Sequence, residues 1–139
     1  MRIEWAIPCQ SVTVDDDDHV AAIHNFGFDA VLVRSVPAEI DFVVVCRFVG
    51  RPEDFTEEAT RSVEVILTGP RTEVLMETTL EVRSGEASRD RPEGWEIYTV
   101  IPLLIEFTAH AEGAHVLDFY VSGRLQRCSI PLLVRVSGS

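Results

Sequence analysis

Cysteine is scarce in this chain of 139 residues: Cys9, Cys46 and Cys128 are odd in number, far apart and form no Cys-x-x-Cys pair. Neither a disulfide framework nor a zinc ribbon is encoded. No uncharged apolar run approaches the ~18 residues of a membrane helix. The N-terminal Met1-Arg2-Ile3-Glu4-Trp5 carries charges where a secretory signal needs an apolar core, which points to the cytoplasm. Glycine occurs only singly, at Gly27, Gly50, Gly69, Gly85, Gly94, Gly113, Gly123 and Gly138, so no phosphate-cradling loop is present. There is no Gly-x-Ser-x-Gly elbow and no cysteine-protease signature. No catalytic residue, metal site or cofactor is therefore expected. Positive charge is also in deficit: 12 basic residues against 23 acidic ones give a formal charge of -11. Such a field repels nucleic acid and anionic membranes, and it favours basic proteins or cations as partners.

Apolar and polar residues alternate at period two over long stretches, most plainly from Trp95 to Val136. Ile97, Ile101, Leu103, Ile105 and Phe107 share one parity; Leu117, Phe119 and Val121 follow, then Ile130, Leu132, Val134 and Val136. That is the signature of antiparallel strands with one face in a core. Strands are expected over residues 2–10, 20–24, 28–34, 40–49, 62–68, 72–82, 96–108, 114–121 and 128–136, with at most a helical turn within 52–61 and a polar loop over 83–94. The fold class is all-β: one two-sheet antiparallel β-sandwich domain over residues 1–139, immunoglobulin-like, of about seven to nine strands. All three cysteines are read as small inward-facing hydrophobes, Cys9 because it continues the parity of Ile3, Trp5 and Ile7. The repeated Ile-Pro-Leu-Leu places Pro102 and Pro131 at edges, bulges or strand starts, since proline cannot donate to a ladder.

The stretch 40–49 departs from simple alternation. Phe42, Val44, Cys46 and Phe48 fill one face while Val43, Val45 and Val49 fill the other. Two stacked sheets cover only one face of each, so Val43 and Val45 require further cover from segment 52–61, a neighbouring loop or another protomer. Val43, Val45 and Val49 are the candidate interaction face.

Other constellations are weaker. Asp15-Asp16-Asp17-Asp18-His19 lacks the glycine of a calcium loop and reads first as a solvated turn, with weak cation binding as the alternative. His110, Glu112 and His115, with Asp118 beyond, occupy a hairpin connection whose spacing matches no zinc pattern. Trp95, His110 and Glu112 form a candidate ligand loop.

Trp5-Ala6 in the first strand, the acidic turn leading to Asn25-Phe26-Gly27-Phe28, Pro37 before the hydrophobic strand and the closing Ile130-Pro131-Leu132 resemble a small uncharacterised bacterial family of single-domain β-sandwich proteins. No activity comes with that resemblance. Residues 113–136 are also similar to the last two strands of immunoglobulin-like modules, which implies a recognition or assembly scaffold. The expectation is a non-enzymatic interaction module that binds a protein partner or itself through a sheet face or edge. A carbohydrate, metal or other small-ligand sandwich is the alternative, and a hydrolase is a more distant one.

Overall fold

The computed structural model describes residues 1–55, 61–82, 92–121, 124–125 and 128–138. Ten strands form two stacked sheets: β1 (Arg2–Val14), β2 (Val20–Phe26), β3 (Ala30–Val33), β4 (Ala38–Gly50), β5 (Arg61–Thr68), β6 (Val74–Val82), β7 (Ile97–Ala109), β8 (Gly113–Val121), β9 (Arg124–Leu125) and β10 (Ile130–Val136). One sheet runs β2-β1-β4-β7 and the other β3-β10-β8-β5-β6, with β9 appended to β8. All nine expected strands are present; the two-residue β9 is the addition. The only helical element among the described residues is a single 3-10 turn, Pro52–Phe55. The rest of the expected loop 83–94 up to residue 91, and the turn residues Ser122 and Gly123, lie outside the described residues.

Part of the strand order parallels the immunoglobulin arrangement, although β2, outside β1, has no counterpart there. Strands β4 and β7 pair as B and E do, with β1 beside β4 in the place of A; β5, β8 and β10 lie side by side as C, F and G do. The parallel pairing of β3 with β10 closes the second sheet. Two prolines sit at positions with a strand neighbour on one side only. Pro102 is on β7, an edge strand, and Pro131 precedes the point at which β3 joins β10 at Leu133.

Between the sheets, Ile40, Phe42, Val44, Cys46 and Phe48 of β4 meet Val63, Val65, Leu67, Leu117, Phe119, Leu132 and Val134, all buried. Alternation at period two produces this directly: every second side chain of each strand enters the same interior. Phe55 turns back from the 3-10 turn into that core, and Phe28 meets Phe42 edge to face at 5.7 Å.

Cys9 corrects one expectation. A bulge between Ile3 and Trp5 puts Trp5 opposite Arg47, after Ile3 opposite Phe48. One extra residue exchanges the two faces of the strand. Ile3 and Ala6 therefore contact the core, while Trp5, Ile7 and Cys9 point outward with Val43 and Val45. Cys46 and Cys128 do meet the interior as expected. Burial pushes the Cys46 thiol up to about 12, with the neighbouring Cys128 adding to it, and burial raises Cys9 and Cys128 as well. Little thiolate forms near neutral pH at any of the three.

On the outer surface of the second sheet, Glu64 on β5 lies diagonal to Glu77 on β6. A hydrogen bond shared with Glu77, then partial burial and the like charge, hold the Glu64 carboxyl above its ordinary value. A raised folded value means that the pair supports the fold while Glu64 is protonated. That support disappears as pH rises through the folded pKa, leaving two carboxylates in repulsion. Glu77→Gln replaces the repulsion with an amide donor. Thermal melts between pH 4 and pH 7 should show the variant gaining on the wild type as pH rises; parallel curves would contradict the pairing.

Candidate functional site

The outer face of the β2-β1-β4-β7 sheet carries three rows fixed by register, apolar except for Arg47. Phe26, Cys9, Val43 and Leu104 form one; Ile7, Val45 and Pro102 the next; Trp5, Arg47 and Val100 the third. Beyond them lie Val49 and Tyr98. Exposure is uneven in an informative way. Phe26 is 65% exposed, Leu104 55% and Tyr98 41%, whereas Cys9 and Val45 are 0% and Val49 is 5% exposed. Val43, Ile7, Trp5 and Val100 are half-buried. Val45 and Val49 are thus the floor of the face, and the side chains a partner would touch are those around and above them. This corrects the sequence-based assignment of Val45 and Val49 as contact residues, and only Val43 of the three keeps an accessible side chain. Val45 is flanked by Ile7 and Pro102 in adjoining strands. The 3-10 turn sends Phe55 into the core instead.

Phe26 owes its position to backbone geometry. Asn25 has φ 52° and Gly27 φ 82°, both left-handed, a region that Gly and Asn enter most readily. The Asn25 side-chain amide donates to Gln10 Oε1 at 2.6 Å, and Gly27 N–H donates to the Pro8 carbonyl at 2.8 Å. An exposed aromatic ring is thereby held at the sheet margin.

The two ends of the face differ in charge. At the Val49 end, Arg2 makes a two-pronged ion pair with Glu96, at 2.5 and 3.0 Å. Its guanidinium holds the Glu96 carboxyl below its ordinary value. Arg47 Nε lies 3.1 Å from Glu4, without hydrogen-bond alignment, and its guanidinium stacks 4.1 Å over the Tyr98 ring. At the other end, Glu39, Asp41, Glu106 and Thr108 line an open hollow with Ile40 and Phe107. No described cation pairs with those three carboxylates.

The loop candidates do not assemble. Trp95 precedes β7 and His110 follows it, so roughly 40 Å of strand separates them, and the proposed ligand loop of Trp95, His110 and Glu112 is not one site. Glu112 instead accepts the Val136 N–H at 2.5 Å, tying the hairpin tip to β10. His115 is fully buried, donates Nδ1–H to the Gly113 carbonyl at 3.0 Å and packs against Phe107, while His110 is exposed. On either side of the β7–β8 hairpin turn, one imidazole is exposed and the other is buried. Asp15, Asp17 and His19 do lie within 4.8 Å of one another, all exposed. Asp15 Oδ1, however, accepts the N–H groups of Asp17 and His19, each at 2.9 Å. The carboxylate organises the hairpin turn, with Asp18 at φ 59°.

No protein-family model and no curated protein matches the sequence. What the fold and the face define is a β-sandwich with one apolar sheet surface turned outward.

Proposed function

We propose that this protein is a non-enzymatic interaction module of the cytoplasm, related to the bacterial β-sandwich family its sequence resembles. It binds a protein, a second copy of itself included, through the outer face of the β2-β1-β4-β7 sheet. The observation that carries this is the contiguous apolar surface around Val43, with Phe26, Leu104 and Tyr98 projecting from it. Contiguous apolar surface on a soluble domain marks binding sites, and aromatic anchors held rigidly lose little entropy on contact.

The chain contains no lysine, so a photo-activated side chain is the suitable probe. Placed at Leu104 in the producing cells, it should yield a discrete protein adduct. Placed at Leu32, 70% exposed on the other sheet, it should yield none. Equal labelling from both positions would refute the assignment of the face.

A further inference from the structure

Resting on that reading of the face, we infer that its occupant is a second copy of this chain, stacked face to face about a two-fold axis that lies in the interface and runs across the strands.

A two-fold relating two stacked faces must lie in the interface plane. It can run along the strands or across them. An axis along the strands sets like ends together, bringing the end that carries Glu39, Asp41 and Glu106 against the same acidic end of the partner. An axis across the strands reverses the direction of one sheet over the other and brings Arg47 above the partner's Asp41. It leaves β4 over β4, since the lateral order of strands is unchanged. Arg47 and Asp41 point outward from the same strand at equal distances from Val44, so an axis at the level of Val44 makes both contacts at once. Arg47 carries five donors in a fixed fork, and its side chain is 33% exposed. It has capacity for a second carboxylate besides Glu4. The three carboxylates at the far end gain the cation they lack among the described residues. Opposite charges selecting one orientation while like charges reject the other is the usual origin of register in paired surfaces.

Size and shape agree. Strands β4 and β7 over residues 39–49 of β4, the span symmetric about Val44, with β1 beside residues 43–49, cover roughly 400 Å² in plan. Counted on both copies with side-chain relief, that buries on the order of 1,000–1,200 Å², the lower end of the range for specific interfaces. The same operation lays Leu104 over the partner's Pro102, and sheets stacked in this way accept the ≈ 30° offset of aligned packing. This pairing is reversible and concentration-dependent at that size.

Sedimentation velocity across micromolar to submillimolar concentrations tests it, using the full chain. The wild type should dimerise reversibly, and Leu104→Glu should leave a monomer with an unchanged circular dichroism spectrum. Arg47→Asp and Asp41→Arg alone should each weaken the dimer about tenfold or more, because each places like charges together at two symmetric contacts. Mixed in equal amounts, the two variants should form a 1:1 heterodimer within about threefold of wild-type affinity, since both contacts then pair opposite charges. That recovery also shows that neither variant has lost its fold. A wild-type monomer throughout overturns the self-pairing while the cross-linking at Leu104 still decides the face. A dimer insensitive to Leu104→Glu overturns both. A dimer that needs Leu104 but ignores both charge changes overturns the orientation across the strands.

Discussion

Phe48→Ala is expected to lower the unfolding free energy by about 3–5 kcal/mol. The ring is fully buried in the interior, on a strand bonded on both sides: Ile3 of β1 and Thr99 of β7 are its partners. Two ladders fix the backbone at this point, so β4 cannot shift inward to fill the space that truncation opens. Lost transfer energy and an uncollapsed cavity therefore add. Against the roughly 5–15 kcal/mol that holds a domain of this kind together, the variant should remain folded at room temperature with a much lower melting temperature. Urea unfolding should show an earlier midpoint at an unchanged slope, because the surface exposed on unfolding hardly differs. A loss below about 1 kcal/mol would mean that Phe48 is not enclosed as described.

The interior to which Phe48 belongs was legible because it follows from alternation alone. Ile97, Ile105 and Phe107, then Leu117, Phe119 and Val121, then Ile130, Leu132 and Val134, are all buried, as their shared parity requires. Strand ends were less legible. β1 continues past Gln10 to Val14 and β2 past His24 to Phe26, through polar residues that cross-strand bonding keeps extended. Thr13 Oγ1 and His24 Nε2, 2.8 Å apart, belong to a ladder that no apolar pattern announces.

The first strand shows where period-two reasoning fails. Ile3, Trp5, Ile7 and Cys9 read as one inward row, and the bulge at Glu4 makes Ile3 the only inward member. No glycine or proline marks that bulge in the sequence. Once the face is reversed, Trp5 and Ile7 join Val43 and Leu104, so the outward apolar surface is larger than β4 alone suggested. Its margin was also hidden: Phe26 is set there by the left-handed Asn25 and Gly27, and only the Asn-x-Gly spacing hints at it. His115 was misplaced for a related reason. Its parity, shared with Leu117 and Phe119, makes it a core residue, and parity was the signal that should have outweighed its nearness to His110.

Val45→Glu and Leu104→Glu should fail in different ways, although the two residues share one sheet face. Val45 has no accessible surface, so a carboxylate there must lose its water, displace Ile7 or Pro102, or take up a proton. Each route is costly, and roughly 3 kcal/mol or more of stability should be lost. Leu104 is 55% exposed on the edge strand β7, where a glutamate side chain stays hydrated and stability should change by no more than about 0.5 kcal/mol. Association should respond in the opposite sense: Leu104→Glu should abolish it in a fully folded chain, because contact would strand the new charge in an apolar interface. Thermal melts beside sedimentation separate the two. If Val45→Glu melts like the wild type, the valine is not floor but contact surface, and the face is shallower than its accessibilities indicate. If Leu104→Glu melts early, the edge strand depends on cover from within the chain, and the apolar rows complete the fold instead of receiving a partner.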